Sequence, residues 1–340
     1  MVLTVVVRPP ATTAQGDTPL QLQWRPFRAV LPRPLRTARG TIEAKQGWLL
    51  RLEAESDGVG WGEAAPLLEG SPALEAAIAD LPARLTRREL EERLRHGFGY
   101  GTASRCLAFA LGAALAELEG LPLERWRTAP PGAVLLPAGE AALAALEGVM
   151  ATAGLPHPTV FKWKVATHDD ALERQVLEQL LQRLPATAGL RLDANGGWTR
   201  ATAWGWAERL ATEPRLHWLE QPLPPADPDG LLALARRLPV ALDESLQHHP
   251  DLTRHWPSWQ VRRPSQEGDP RPLLTSLERG TPGLMLSSSF ETGIGRRWLE
   301  HLAALQWAGP TPTAPGMASQ WQPTGPLAAA DPAEVWRAAA

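Results

Sequence analysis

The feature that most constrains this chain is a series of four short apolar runs, each ending in charged or polar residues. They are Val160-Phe161-Lys162-Trp163-Lys164, Leu190-Arg191-Leu192-Asp193-Ala194-Asn195, His217-Trp218-Leu219-Glu220-Gln221-Pro222 and Val240-Ala241-Leu242-Asp243-Glu244-Ser245. From one charged end to the next is roughly 20–30 residues, the length that a strand, a crossover helix and two short loops require. Helix-like patterns fill the intervals, as at 170–184 and 199–210. This rhythm predicts an α/β chain whose parallel strands form a (β/α) barrel. Such barrels present functional side chains at the C-terminal ends of their strands.

The same spacing extends the barrel in both directions. It is expected to begin at 132–138, to continue through strands at 259–265 and 283–289, and to include a further strand at 304–307. At 340 residues the chain has room for a barrel over 130–308 and a smaller domain over 1–125. The proline-rich tail, 309–340, is expected to fold back onto that first domain. Within the first domain, 20–27 alternates like a strand, a second strand covers 47–54, and 60–67 closes the sheet. Helical patterns at 71–85, 86–96 and 102–118 follow, giving an α+β capping domain with a three-stranded sheet. Residues 31–40 carry Arg33, Arg36 and Arg39 with Pro32 and Pro34, and read as a basic loop joining two strands. That loop is either a solvated hairpin or a lid over an anionic substrate. Residues 9–19 read as a loose segment. Gly97-Phe98-Gly99-Tyr100-Gly101 follows a helix rather than a strand, so it is no dinucleotide fingerprint.

Composition removes whole classes of function. Net charge is −3, from 34 basic and 37 acidic residues, which gives no footing for a nucleic acid or other polyanion. The single cysteine, Cys106, excludes an internal disulfide, suits a reducing compartment, and lies in an apolar helical pattern. No apolar stretch approaches the ~20 residues of a membrane span. The first residues lack the basic segment and cleavage site of a secretory signal, so a cytoplasmic enzyme is expected.

Asp193, Glu220 and Asp243 would place three carboxylate oxygens on adjacent strand ends. That donor set suits Mg²⁺, with Mn²⁺ as a substitute, and leaves coordination positions for water or substrate. Of the eight histidines only His217 lies near these ends, which argues against zinc. The alternative is that the carboxylates cap helices at strand-to-helix turns, where Asp is common. Lys162 and Lys164 are two apart, so both face one side of their strand. Two ammonium groups so close disfavour each other's charge, which would make one a neutral base. Ser287-Ser288-Ser289 at another strand end offers hydroxyls and backbone N–H groups to an anion.

Taken together, Lys162-x-Lys164, Asp193-Ala194-Asn195, Glu220-Gln221-Pro222, Asp243-Glu244-Ser245 and Ser287-Ser288-Ser289-Phe290-Glu291 resemble the enolase superfamily, in its muconate-lactonising-enzyme-like branch. Pro34-Leu35-Arg36-Thr37, Gly62-Glu63-Ala64-Ala65-Pro66-Leu67 and Ser104-Arg105 add to the likeness, which runs from about residue 31 to 307. The resemblance implies a (β/α)7β modified TIM barrel with an α+β N-terminal capping domain. Within the branch it is greatest to the members that dehydrate 2-succinyl-6-hydroxy-2,4-cyclohexadiene-1-carboxylate to an aromatic acid on the route to menaquinone or phylloquinone. It implies that Asp193, Glu220 and Asp243 hold Mg²⁺, that Lys164 is the general base with Lys162 assisting, and that the product forms through an enediolate. By the same resemblance Ser287, Ser288 and Ser289 hold the succinyl end, Arg36 of the lid region binds substrate, and Asn195 and Glu244 support the site from behind.

Two positions depart from the pattern. The branch usually carries a lysine before the proline of the sixth strand, where this chain has Arg263 in Arg262-Arg263-Pro264. Arginine stays protonated and is a poor base, so Arg263 argues against N-acylamino acid racemase or dipeptide epimerase chemistry, which needs a base on each face of the substrate. One-base dehydration tolerates a cation there, and Arg263 would then be a catalytic residue that stabilises the enediolate by its charge or over the ring; a catalytically silent, ligand-binding barrel is also compatible with it. Lys45 stands where arginine is expected, which would weaken a lid contact.

Overall fold

The computed structural model describes residues 19–37, 40–54, 58–67, 71–98, 101–121, 126–152 and 159–339, with backbone alone at 35–37 and 40. The loose segment expected at 9–19 falls outside them apart from Pro19, as do Gly99 and Tyr100 and the side chain of Arg36.

The N-terminal part is an antiparallel sheet with helices on one face. Strands β1 (Pro19–Thr37), β2 (Gly40–Ala54) and β3 (Gly58–Ala64) are followed by helix α1 (Pro72–Ala79), a short β4 (Arg84–Thr86), and helices α2 (Arg87–His96) and α3 (Thr102–Leu118). The sheet order is β3-β2-β1-β4, so it has four strands where three are expected. The extra strand comes from the end of the stretch read as one helix over 71–85: the helix stops at Ala79, and Pro19–Gln21 pairs with Arg84–Thr86. Nor is 31–37, the described part of the stretch before β2, a loop. Residues 31–37 continue β1, paired through Leu35↔Ile42 and Arg36↔Thr41, and the register slips only between Val30 and Leu35. Pro32 and Pro34, which lack N–H donors, lie in that irregular stretch.

Helix α3 is the spine of this part. Its Cys106, Leu107, Ala110, Leu111 and Ala114 pack with Leu20, Leu22, Leu50 and Leu52 of the sheet. Close approach depends on glycine: a Cβ on Gly60 would stand 1.8 Å from the Ala114 carbonyl oxygen, and one on Gly62 2.0 Å from that of Ala110. Burial pushes the Cys106 thiol up to about 12, so this cysteine is an inert packing residue.

Seven parallel strands follow in spatial and sequence order: β5 (Val134–Leu136), β6 (Val160–Lys164), β7 (Gly189–Asp193), β8 (Leu216–Glu220), β9 (Val240–Leu242), β10 (Trp259–Arg262) and β11 (Leu284–Leu286). Helices α4 (Ala141–Met150), α5 (Asp170–Arg183), α6 (Arg200–Leu210), α7 (Pro228–Ala235), α8 (Glu244–His248), α9 (Leu252–His255), α10 (Arg271–Glu278) and α11 (Gly293–Trp307) lie between and after them. Side-chain caps start several: Asp169 for α5, Thr199 for α6, Asp227 for α7 and Thr292 for α11.

The strand expected at 304–307 is instead the last turn of α11, whose buried Trp298, Leu299, Leu302 and Ala303 follow helical spacing. Residues 311–316 take the eighth position. Gly316 N–H donates to the Leu286 carbonyl (2.8 Å), Ser288 N–H to that of Gly316 (2.9 Å), and Ala133 N–H to that of Pro315 (2.9 Å). This extended segment joins β11 to the start of β5 and closes a modified TIM barrel. Pro310, Pro312 and Pro315 cannot donate, which limits its ladder to a single bridge, Ser287↔Gly316. The chain then returns to the first sheet, where helix α12 (Pro332–Ala338) sets Trp336 against Trp61, ring centroids 5.8 Å apart.

A buried histidine on α11 gives this packing a pH dependence. His301 Nδ1 accepts the Arg127 N–H (3.2 Å), which requires a neutral ring, and burial with the Arg127 charge depresses its pKa from 6.5 to about 4. The unfolded chain takes up this proton first, so the contribution is complete above pH 6.5 and lost as pH falls towards 4. Thermal melts between pH 7 and pH 4.5 should show falling stability, and His301→Gln should remove part of that slope.

Candidate active site

The cavity between barrel mouth and cap has a volume of about 590 Å³. Lys162, Lys164, Asp193, Asn195, Asp243, Glu244 and Arg263 line its barrel side, and Ile42, Leu67, Phe290 and Trp321 cover it. Strand register builds the polar side. Lys164 pairs with Asp193 and Asp193 with Glu220, placing the three in one row across β6, β7 and β8. Asp243 follows the last residue of β9. The row is almost dry: Asp193, Glu220 and Asp243 are 2%, 0% and 3% exposed.

Buried carboxylates side by side repel, and two cations hold them together. Lys162 Nζ lies 2.8 Å from Asp193 Oδ2 and 2.6 Å from Glu220 Oε1. Burial opposes the Lys162 charge, but Asp193 and Glu220 outweigh it, so this lysine is held protonated above its ordinary value. The mutual discharge expected of the two lysines therefore does not act on Lys162. Arg263 grips Asp243 with two parallel bonds, Nε to Oδ1 at 2.9 Å and Nη2 to Oδ2 at 2.6 Å, and its Nη1 donates to the Ser288 carbonyl at 2.6 Å. Burial opposes this charge too, and the Asp243 carboxylate raises it.

Helix capping does not account for the acids. Asp243 holds the N-cap position of α8, yet its side chain makes no capping bond there, and α6 is capped by Thr199 rather than by Asp193. Lys164 Nζ instead donates to Asn195 Oδ1 (2.9 Å), and Asn195 Nδ2 donates to Glu244 Oε1 (2.9 Å). Glu244 Oε2 is buried with no donor among the described residues. Burial, then the neighbouring Asp243 and Asp193, push the Glu244 carboxyl up to about 7.

These groups suit a hard divalent cation by donor chemistry: carboxylate oxygens on successive strand ends, an orphaned acceptor beside them, and cations already drawn in to balance the charge. Among the described residues no three acidic, histidine or cysteine side chains converge into a ready-made cage. Lys162 and Arg263 occupy the carboxylates instead. Glu220 lies beneath Lys162 and is not part of the cavity wall.

Other expected site residues are placed differently from one another. Ser287 and Ser288 line the cavity, but Ser289 is fully buried off its wall, its hydroxyl without a partner among the described residues. The backbone turns there at Phe290 (φ 63°), and Glu291 draws in the Ser289 N–H (2.9 Å) and the Ser288 hydroxyl (2.8 Å). Lys45 is no lid residue. It is 1% exposed, and its Nζ donates to the carbonyls of Ala65 (2.8 Å) and Pro66 (2.9 Å), tying down the chain after β3.

Sequence reasoning missed Gln221. Its Oε1 accepts the N–H groups of Asp243 (3.1 Å) and Ser245 (3.0 Å), while Nε2 donates to the Ser245 hydroxyl (2.6 Å) and the Leu223 carbonyl (2.9 Å). One buried amide thus fixes the end of β9 to the end of β8. The signal was its position directly after Glu220. Gln221 (φ 38°) and Asn195 (φ 45°) are both left-handed non-glycine residues, one and two positions beyond an acid of the row.

A capped parallel barrel with acids on successive strand ends and Lys-x-Lys on the strand before defines an enolase-type enzyme. Residues 141–256 match the family described as enolase C-terminal domain-like. The o-succinylbenzoate synthase of Thermosynechococcus vestitus is 36% identical over 83% of this chain and 88% of its own length. The crystal structure of o-succinylbenzoate synthase from Thermosynechococcus elongatus, complexed with Mg in the active site, superposes with a TM-score of 0.74 and 35% identity over 90% of this chain and 95% of that one. A dipeptide epimerase from Methylococcus capsulatus, complexed with Mg and a dipeptide, has a TM-score of 0.66 and 25% identity over 88% and 90%. The chain belongs to the o-succinylbenzoate synthase family.

The Gln221 clasp is testable on the protein alone. Gln221→Ala strands two buried N–H groups and should cost roughly 2–4 kcal/mol in urea unfolding. Gln221→Glu, which keeps the acceptor and loses the donor, should recover part of that.

Proposed function

We propose that the chain is a Mg²⁺-dependent carbon–oxygen lyase that dehydrates 2-succinyl-6-hydroxy-2,4-cyclohexadiene-1-carboxylate to 2-succinylbenzoate. The observation that carries this is the strand-end row of Lys164, Asp193 and Glu220, with Asp243 following on β9, in a chain 36% identical to an o-succinylbenzoate synthase. Asp193, Glu220 and Asp243 are the residues that would hold Mg²⁺. Bound there, the ion supplies positive charge to the substrate's ring carboxylate as that group takes on enediolate character.

Lys164 Nζ takes the proton from the ring carbon bearing the carboxylate. The C–H electron pair moves into the carboxylate and returns to form the new ring double bond as the neighbouring C–O bond breaks. The proton on Lys164 goes to the departing hydroxyl, which leaves as water, and the ring becomes aromatic. Asn195, bonded to Lys164 and Glu244, orients the base. Ser287 and Ser288, which line the cavity, would hold the succinyl arm, and Phe290 with Ile42 and Trp321 would exclude water above it.

Arg263 separates this reading from racemisation or epimerisation. β10 stands four strands from β6, across the mouth from Lys164, where a second base would be needed. A guanidinium paired with Asp243 cannot remove a proton there but can supply positive charge. We also assign 1–125 as the cap, 130–308 together with the closing segment 311–316 as the barrel, and the remainder of 309–340 as the returning tail, and place the reaction in the cytoplasm on the way to menaquinone or phylloquinone. Among the described residues no helix is long and apolar enough to cross a membrane.

Aromatisation of the cyclohexadiene substrate, followed by absorbance, tests the reading. Turnover should require Mg²⁺ and fall by roughly 10²–10⁴-fold in Lys164→Ala. Absence of turnover in Mg²⁺-loaded wild type would refute it.

A further inference from the structure

We infer that Arg263 is an internal counter-cation for Asp243 that gives up this carboxylate when a divalent cation binds, so that metal loading releases a guanidinium fork towards the cavity. The inference rests on the metal-binding reading of the acidic row above. It begins with an asymmetry between the two cations of the site. Lys162 is a point charge shared between Asp193 and Glu220, touching one oxygen of each. Arg263 by contrast takes both oxygens of a single carboxylate, at 2.9 and 2.6 Å.

A cation coordinated by an Asp243 oxygen at about 2.1 Å on the side of the fork would coincide with the guanidinium. On the far side it would still face a full positive charge a few ångströms away, in a place where Asp243 is 3% exposed and water screens little. Fork and metal therefore compete for Asp243. A lysine at 263 would bring a point charge without the planar fork that matches both oxygens of one carboxylate, so the competition is strongest with the arginine of this chain.

The arrangement also tells where the guanidinium stays. Nη1 is anchored on the Ser288 carbonyl (2.6 Å), and the Arg263 N–H is fixed by Glu267 (2.6 Å), so the side chain keeps its place at the cavity wall. What a metal frees is Nε and Nη2, two donors suited to an anionic group of the substrate. In the metal-free protein they are occupied, so metal precedes substrate.

The test uses the full chain, Mn²⁺ as probe, and no turnover. Free Mn²⁺ is titrated by electron paramagnetic resonance against wild type, Arg263→Gln and Arg263→Lys, and each metal-free protein is melted. Arg263→Gln should bind Mn²⁺ at least about tenfold more tightly than wild type while its metal-free form melts lower. Arg263→Lys should fall between, and it decides by the same sign if the Gln variant does not fold. Unchanged or weaker Mn²⁺ binding in the variants, with wild type binding, overturns the inference even if the melting point drops. Mn²⁺ bound by a variant but not by wild type supports it. No binding by any of the three refutes the metal reading itself.

Discussion

Charge removed from water has to be balanced where it sits, and the Lys162 ammonium wedged between Asp193 and Glu220 is the balance on which this structure depends. The three residues come from β6, β7 and β8, so the ion pairs form only if the strands keep their register. A slip of one residue would turn Lys162 out and leave two carboxylates buried and opposed, a large penalty in so dry a place. Electrostatics at the mouth and packing in the barrel wall thus select one alignment. The Arg263–Asp243 fork and the Gln221 clasp carry the same constraint to β9 and β10.

The cap is coupled to the barrel by a second buried acid. Glu63, on β3, accepts the Thr292 N–H (2.9 Å), the Thr292 hydroxyl (2.6 Å) and the Gly295 N–H (3.1 Å) at the start of α11. The first turn of a barrel helix is therefore completed by a residue of the other sheet. Gln266 adds bonds to the Ala65 carbonyl and from the Leu67 N–H, directly beneath the covered cavity. The roof over the site is placed by polar contacts of known geometry, not by apolar packing alone.

The strands of the barrel were legible because each is a run of apolar residues with charge at one end, a pattern set by the boundary between wall and mouth. The acids were legible for the same reason. Contacts made by fold closure were not. Nothing local in 311–316, with its prolines, announces a barrel stave, because its pairing is supplied by β11 and Ala133. The strand placed at 304–307 failed since a short apolar run has the same look in a helix end. The turn of Ser289 away from the cavity depends on Glu291 and a left-handed Phe290, and Lys45 was misread since its partners are carbonyls, which carry no residue-type signature. The expected discharge of one lysine by the other left out, for Lys162, the acids of the next two strands, which lie 2.8 and 2.6 Å from its ammonium.

Closure by a late, donor-poor segment bears on how the molecule is made. Until residue 316 has left the ribosome, β5 and β11 are open edges of a seven-stranded sheet, with backbone donors and acceptors ready to pair with another chain. The segment that covers them carries prolines at 312 and 315 and is preceded by Pro310, residues poorly suited to recruiting any further strand. A segment made after both edge strands is thus the one that covers them, and its prolines suit it poorly to pairing with another chain.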